Sequence, residues 1–315
     1  MPNPPLGRFV WHELSTTDPD AAAAFYGKVV GWKTEAYDQD PTYRLLTLNS
    51  QQKGGLMRLP EEARAMGAAP GWMLYVSVAN VDEKVRQAQS LGAQLHAGPM
   101  DIPPGRFAAL ADPWGAGFSL FKPAPQPNQP MSTGPGAPGD FVWHEHVSPN
   151  WTQAWDFYSK LFGWSEAQSL EMSPGNIYFI FKTPGEKEPA GGFYSLQPGM
   201  PPHPHWLTYI RVADIDAAAS AVKRGGGKVL TGPMDVPGGA RIAMCVDPQG
   251  AGFAVHALSV GAPAPRGGSS NGTGGGTRAR RKSPAKREAV RKAKAASRRP
   301  RPKRRTRPRA RRPAR

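Results

Sequence analysis

Five residues, Phe9-Val10-Trp11-His12-Glu13, return as Phe141-Val142-Trp143-His144-Glu145, 132 positions downstream. The same offset relates Phe25-Tyr26 to Phe157-Tyr158 and Gly31-Trp32 to Gly163-Trp164. Farther along, Gly98-Pro99-Met100-Asp101 matches Gly232-Pro233-Met234-Asp235, 134 apart. Asp112-Pro113 and Gly115-Ala116-Gly117-Phe118 match Asp247-Pro248 and Gly250-Ala251-Gly252-Phe253, 135 apart. Solenoid repeats have periods of roughly 20–50 residues, so an offset this long means two tandem domains, with a few loop residues gained in the second. A chain of 315 residues has room for about that many.

Composition marks the edges of the copies. Residues 123–139 (PAPQPNQPMSTGPGAPG) are too rich in Pro and Gly for a packed core and read as a linker. The predicted organisation is a first domain over 7–122, that linker, a second domain over 140–258, a flexible linker over 259–277, and a basic tail over 278–315. The net charge of +16 belongs to the tail. Residues 266–315 hold 21 Lys/Arg and one acid, Glu288, which leaves 19 Lys/Arg against 23 Asp/Glu in the body. Any nucleic-acid argument therefore rests on the tail. The single cysteine, Cys245, sits in an apolar run (IAMCVD) and reads as an inert buried thiol. One cysteine forms no internal disulfide and fits a reducing compartment. No apolar run approaches the ~18 residues of a membrane span, and no secretory signal is visible at the start, so a cytoplasmic protein with no membrane contact is expected.

Each copy has the same local grammar. A strand is expected over residues 8–15. Asp18-Pro19 supplies an N-cap and a first-turn proline. Ala22, Phe25, Tyr26 and Val29 then fall at helical spacing on one face, and Gly31 ends the helix. Strands follow over 33–37, 43–48 and 53–59. Another strand, 72–78, leads to a helix opened by Asp82 and closed by Gly92, and a DPWG turn separates strands over 106–111 and 117–122. The shorthand is βαβββ, twice per copy, an α+β class.

These words in this order resemble the vicinal oxygen chelate superfamily, the glyoxalase, bleomycin-resistance and dioxygenase-like proteins. The resemblance rests on an opening strand, Asp18 followed by Phe25-Tyr26 and Gly31-Trp32, a strand running into Val81-Asp82, Leu91-Gly92, and the closing Asp112-Pro113-x-Gly. The second copy repeats them with Phe157-Tyr158, Gly163-Trp164, Ile215-Asp216 and Asp247-Pro248-x-Gly. It implies tandem glyoxalase-like domains, each of two βαβββ units curling around a chamber. Many members hold a divalent metal there by His, His and Glu. Carried over position by position, those ligand places fall on Trp11, Met73 and Ser119 in the first copy and on Trp143, Leu207 and Ala254 in the second. None is a credible ligand set for a divalent ion, so the family's usual metal is not expected.

Strand alternation refines the opening motif. Phe9, Trp11 and Glu13 share one face, and Val10, His12 and Leu14 the other. Under the family alignment Trp11 and Glu13 look into the chamber and His12 looks away. Glu13 and Glu145 are thus candidate catalytic carboxylates whose burial would raise their pKa toward a general-base range; the competing reading ties them to structural donors. Trp11, Trp72, Trp143 and Trp206 are candidates to line an aromatic pocket, or are plain core. A shifted metal set, Glu145, His205 and His256, lies two positions from the expected ligands on the same faces.

The tail has no apolar face and is expected to be disordered alone. Its charge suits non-specific binding to nucleic-acid backbones by counterion release. Three functions follow: a small-molecule binder or metal-independent enzyme with a nucleic-acid-binding tail, a metal-dependent lyase or dioxygenase using the shifted set, or a nucleoid-associated ligand sensor. Turnover, against ligand-induced change in DNA binding, separates enzyme from sensor.

Overall fold

In the computed structural model, two curled sheets stand back to back with helices wedged between them. The structure describes residues 6–65, 67–124, 136–200 and 202–258. Most of the 123–139 linker and both segments beyond residue 258, the expected flexible linker and basic tail, lie outside the described residues.

The first copy runs β1 (Phe9–Thr16), α1 (Pro19–Val29), β2 (Lys33–Tyr37), β3 (Asp40–Leu48), β4 (Gln51–Arg58), a short α2 (Glu61–Ala65), β5 (Gly71–Ser77), α3 (Val81–Ser90), β6 (Gln94–Ile102), β7 (Gly105–Ala111) and β8 (Gly117–Pro123). The second runs β9 (Phe141–Ser148), α4 (Trp151–Phe162), β10 (Ser165–Ser173), β11 (Asn176–Lys182), β12 (Gly191–Ser195), β13 (His205–Arg211), α5 (Ile215–Arg224), β14 (Lys228–Val236), β15 (Ala240–Val246) and β16 (Gly252–Leu258). Each copy closes into one eight-stranded sheet, ordered β2-β3-β4-β1-β5-β8-β7-β6 and β10-β11-β12-β9-β13-β16-β15-β14. The two βαβββ units of a copy meet where the strand after one helix unit pairs antiparallel with the opening strand, β1 with β5 and β9 with β13.

The local signals explain most boundaries. Asp18 caps α1 by accepting from the Asp20 and Ala21 N–H groups, and Asp214 does the same for α5. α3 differs from expectation: Asn80, not Asp82, is its cap. Asp82 instead forms a forked pair with Arg106 on β7, at 2.8 and 2.9 Å. α2 was not foreseen; it buries none of its residues, so no apolar stripe announces it.

The cores are shared between copies. One apolar cluster joins Leu74, Val76, Val85 and Phe118 of the first copy to Phe157, Tyr158 and Phe193 of the second. The other joins Leu14, Phe25 and Tyr26 to Ile210, Val222 and Phe253. Helix α1 packs beside α5, and α3 beside α4. Burying a side chain of this kind contributes about 1.5–3 kcal/mol, so each copy's stability depends on the other.

The repeated words are the joints of this arrangement. The Tyr26 hydroxyl donates to Asp247 at 3.3 Å, and the Tyr158 hydroxyl to Asp112 at 3.1 Å. The Trp32 indole donates to the Gly139 carbonyl at 3.1 Å, and the Trp164 indole to the Gly7 carbonyl at 2.6 Å. His12 stacks on Phe141 at 3.8 Å and His144 on Phe9 at 3.7 Å. Between them the two imidazoles touch, Nε2 to Nε2, at 2.8 Å. The His144 Nδ1 lies 3.0 Å from the Ala190 carbonyl, which can only accept. That nitrogen therefore carries the proton, His144 Nε2 is the acceptor, and His12 Nε2–H donates to it.

The second copy adds a buried polar node that the repeat did not reveal. His146 stands where the first copy has Leu14, and its Nε2 lies 2.7 Å from Asp112. Asp112 also accepts from the Trp114 and Ala116 N–H groups, both at 2.9 Å.

Candidate functional site

Strand alternation puts Trp11 and Glu13 on the inner, concave face of the first sheet and His12 on the outer face, in the joint. Across from Glu13 on β4 stands Gly55, and across on β5 stands Met73. A Cβ at Gly55 would overlap the Tyr43 hydroxyl. The missing side chain lets that phenol drop onto Glu13. Tyr43 and Tyr75 both hydrogen-bond the Glu13 carboxyl. The Trp11 indole donates to the Tyr43 hydroxyl at 2.8 Å, which turns the phenol's own proton toward Glu13. The chain of donors runs Trp11 to Tyr43 to Glu13, with Tyr75 donating from the far side.

The second copy repeats the constellation. The Trp143 indole donates to the Tyr178 hydroxyl at 2.8 Å, and the Tyr209 hydroxyl donates to Glu145 at 3.2 Å. Gly192 lies across from Glu145 and leaves room for Tyr178. The signal for the tyrosines was present in the sequence as Gly54-Gly55 and Gly191-Gly192, a glycine pair in the matching strand of each copy. Reading it requires knowing that this strand lies beside the opening one.

Burial drives the electrostatics. It raises the carboxyl pKa of Glu13 and of Glu145, and the phenol hydrogen bonds pull it partly back. Burial, followed by the neighbouring Glu13 carboxylate, pushes the Tyr43 and Tyr75 hydroxyls up, so both phenols stay protonated donors. Cys245 is buried, and burial pushes its thiol up to about 12, the expected inert thiol.

The copies differ in access. Glu13 is half-buried, and with Trp11, Tyr43, Tyr75 and Ser119 it lines a cavity of ≈ 2170 Å³. Glu145 and Tyr209 are buried, and neither they nor Trp143 and Tyr178 line that cavity. Leu207, Tyr209 and Ala254 pack with Trp143, Ile242 and Met244, and Leu207 and Met244 also reach the cavity. Of the four candidate pocket tryptophans, Trp11 and Trp143 thus face the concave side. Trp72 and Trp206 touch the cavity only from its wall and belong to the shared cores. Their indole N–H groups are spent on Tyr26 and Tyr158, at 3.0 and 2.9 Å. These two have both characters, packed in the shared cores while lining the cavity.

The shifted metal set does not assemble. On β13, His205 pairs with Val147, Leu207 with Glu145, and Arg211 with His256. His205 and His256 therefore stand at opposite ends of the strand, roughly 20 Å apart at ~3.3 Å per residue. Their shared face is correct, but the separation along the strand defeats a common ion. His256 is half-buried, and burial beside Arg211 lowers its imidazole to about 4. Among the described residues, no group of three or more His, Cys, Asp or Glu could hold a metal. Trp11, Met73 and Ser119 offer at best a thioether and a hydroxyl, which do not fit a divalent cation.

Sequence and structure comparisons agree on kinship. The profile of the glyoxalase-like domain matches residues 11–121, and that of the glyoxalase/bleomycin resistance protein/dioxygenase superfamily matches residues 147–255. "Putative glyoxylase CFP32" of Mycobacterium tuberculosis is 33% identical over 253 residues, covering 78% of this chain and 92% of the relative. The anthracycline biosynthesis protein DnrV of Streptomyces peucetius is 29% identical over 280 residues, covering 84% and 98%. Among solved structures, the Mn(II)-bound glyoxalase of Novosphingobium aromaticivorans superposes with a TM-score of 0.56 at 15% identity, covering 80% of this chain and 82% of that one. That likeness is one of fold. The manganese belongs to the neighbour, whose metal this chain's side chains do not match. With both copies matched and a relative of one-third identity aligned over most of the chain, the protein belongs to the glyoxalase/bleomycin resistance/dioxygenase superfamily as a tandem-domain member.

Proposed function

We propose that the chain is a glyoxalase-like small-molecule-binding protein or metal-independent enzyme whose working site is the chamber of the first copy. The observation that carries this is a difference between two otherwise equal constellations: Glu13 is half-buried and lines a large cavity, whereas Glu145 is buried and does not line it. The names of two relatives, a glyoxylase and a biosynthesis protein, support a small organic ligand.

Glu13 is the group that can do chemistry. Burial keeps its carboxyl protonated to higher pH than an ordinary glutamic acid, so it can donate a hydrogen bond or a proton to a ligand oxygen. Once ionised, it is held by the Tyr43 and Tyr75 hydroxyls and can take a proton back. Trp11 acts through Tyr43 and is a positioning residue. Glu145 has the same partners but is buried and does not line the cavity, and its role is to tie Trp143, Tyr178 and Tyr209 together.

Native mass spectrometry of the full chain tests this reading. Ligand that travels with the wild type is expected to drop about 10–100-fold in occupancy affinity in Glu13→Gln, the effect of losing one charge-capable hydrogen bond, and to be retained in Glu145→Gln. Equal retention in both variants would remove Glu13 from the site.

The tail, residues 278–315, is proposed to bind nucleic acid non-specifically, on its charge alone. Binding of duplex DNA that falls steeply with salt and vanishes on deleting residues 266–315 is the expected result; binding that survives the deletion refutes it. Among the described residues no helix is long and apolar enough to cross a membrane, and the cytoplasmic setting stays part of the proposal.

A further inference from the structure

The joint between the copies is built from words that both copies carry. Phe9 stacks on His144, and Phe141 on His12. Trp32 donates to Gly139, and Trp164 to Gly7. Tyr26 reaches Asp247, and Tyr158 reaches Asp112. The repeat gives each copy both halves of every such pair. Two first copies from different chains, or two second copies, could therefore make the same contacts. Exchange of equal elements between chains is a low-cost route to entangled dimers, and the shared words alone do not say which copy joins which.

Charge breaks the tie. The chain reads Gly7-Arg8-Phe9 just before and into β1, and Gly139-Asp140-Phe141 just before and into β9. Between two unchanged landmarks, the sign inverts. Arg8 pairs with Glu186, in the loop leading to β12, and donates to the Pro184 carbonyl at 3.3 Å. Asp140 pairs with Lys53, on β4, at 2.5 Å. β4 and β12 are matching strands: Lys53 stands just before Gly54-Gly55, and Glu186 shortly before Gly191-Gly192. Both ion pairs cross from one copy to the other. The first copy thus brings two cations to the joint, Arg8 and Lys53, and the second brings two anions, Asp140 and Glu186. Asp140 also lies near Arg211 of its own copy, a neighbour that every pairing would keep.

None of the four side chains is more than 36% exposed. Partly exposed pairs of this kind add little stability. Their larger effect is on the alternatives, because discrimination between partners is often built from repulsion. In a joint of two first copies, Arg8 would face Lys53 of the other chain, twice over. In a joint of two second copies, Asp140 would face Glu186.

We propose that this sign difference is a pairing code: the joint face of the first copy accepts the anionic second copy and rejects another first copy, and the second copy likewise rejects its own kind. A chain then closes on itself instead of entangling with a neighbour.

Two double variants of the full chain test the code, weighed by size-exclusion chromatography with light scattering and melted beside the wild type. The swapped variant, Lys53→Glu with Glu186→Lys, sets like charges against each other within the chain and opposite charges against each other between like copies. It is expected to melt below the wild type and to hold twice as many chains per particle. The inverted pair, Arg8→Glu with Glu186→Lys, keeps both ion pairs within the chain. It is expected to keep the wild type's chain count and melting temperature. A swapped variant that keeps both wild-type values overturns the proposal. An inverted pair that doubles, or that melts with the swapped variant, overturns it as well. Should the swapped variant fold too poorly to be weighed, the inverted pair decides, because both carry Glu186→Lys: wild-type melting there supports sign matching, and a loss of melting temperature refutes it.

Discussion

Asp112→Ala is expected to cost about 4 kcal/mol of folding stability, seen as a fall of about 10 °C in Tm. Asp112 is buried and satisfies four donors at once: two turn N–H groups, the Tyr158 hydroxyl and the His146 imidazole. Alanine strands all four, three of them around the shared core. Asp247→Ala is expected to cost less, because Asp247 serves the Gln249 and Ala251 N–H groups and the Tyr26 hydroxyl, the last at a longer 3.3 Å. Both variants should melt in one transition at a lower temperature, since each core draws side chains from both copies. Urea titration followed by tryptophan fluorescence checks this. Two separate transitions would show that the copies stand independently and that the joint is incidental.

Acid is expected to weaken the protein through the joint histidines. Burial, and then His144, holds His12 well below its ordinary 6.5; burial lowers His144 to about 4. The unfolded chain takes up these protons near 6.5, and the folded chain resists. The histidine contribution is therefore complete above 6.5 and is lost as pH falls through the window from 6.5 to about 4. For His144 it amounts to about 3 kcal/mol. Glu13, Glu145 and Asp247 act in the opposite sense. Burial raises their pKa values, so their stabilising protonation is present at low pH and is lost as pH rises through the folded values. The comparison must therefore be between variants. A His12→Gln, His144→Gln double variant keeps the carboxyls and removes the titration, and its stability between pH 7 and pH 4.5 should fall less than the wild type's. Parallel profiles would show that the pair is not held neutral by the fold.

Much of this fold could be read from the repeat. The βαβββ grammar, the Asp18 cap and the opposite faces of Trp11/Glu13 and His12 follow from spacing and alternation, which are local properties; a bulge between Phe9 and Trp11 breaks the expected alternation, so Phe9 stacks on His144 in the joint and Val10 lines the cavity. The purpose of the repeated words could not be read this way. Tyr26 finds Asp247 and Tyr158 finds Asp112 across the copies, and nothing local says whether a word's partner lies in its own copy or the other. The same limit explains the shifted metal set. Alternation placed Glu145, His205 and His256 on one face, but register along β13 separates them. Glu13 was visible as a strand carboxylate; its tyrosines were not, because they come from β3 and β5, and the glycine that admits Tyr43 is legible only once β4 lies beside β1. The partner of His146, Asp112 of the other copy, could not be read, because His146 breaks the repeat instead of keeping it.

The central claim is that the first chamber works through Glu13 without a metal ion, and a Mn(II) titration of the metal-stripped full chain tests it most directly. A site that holds Mn(II) in the folded state raises stability by about 2.7 kcal/mol at a hundredfold excess over Kd, a shift any thermal melt resolves. The account predicts no shift in Tm on adding Mn(II). A saturable rise in Tm at one Mn(II) per chain, abolished by Glu13→Gln or Glu145→Gln, would contradict it.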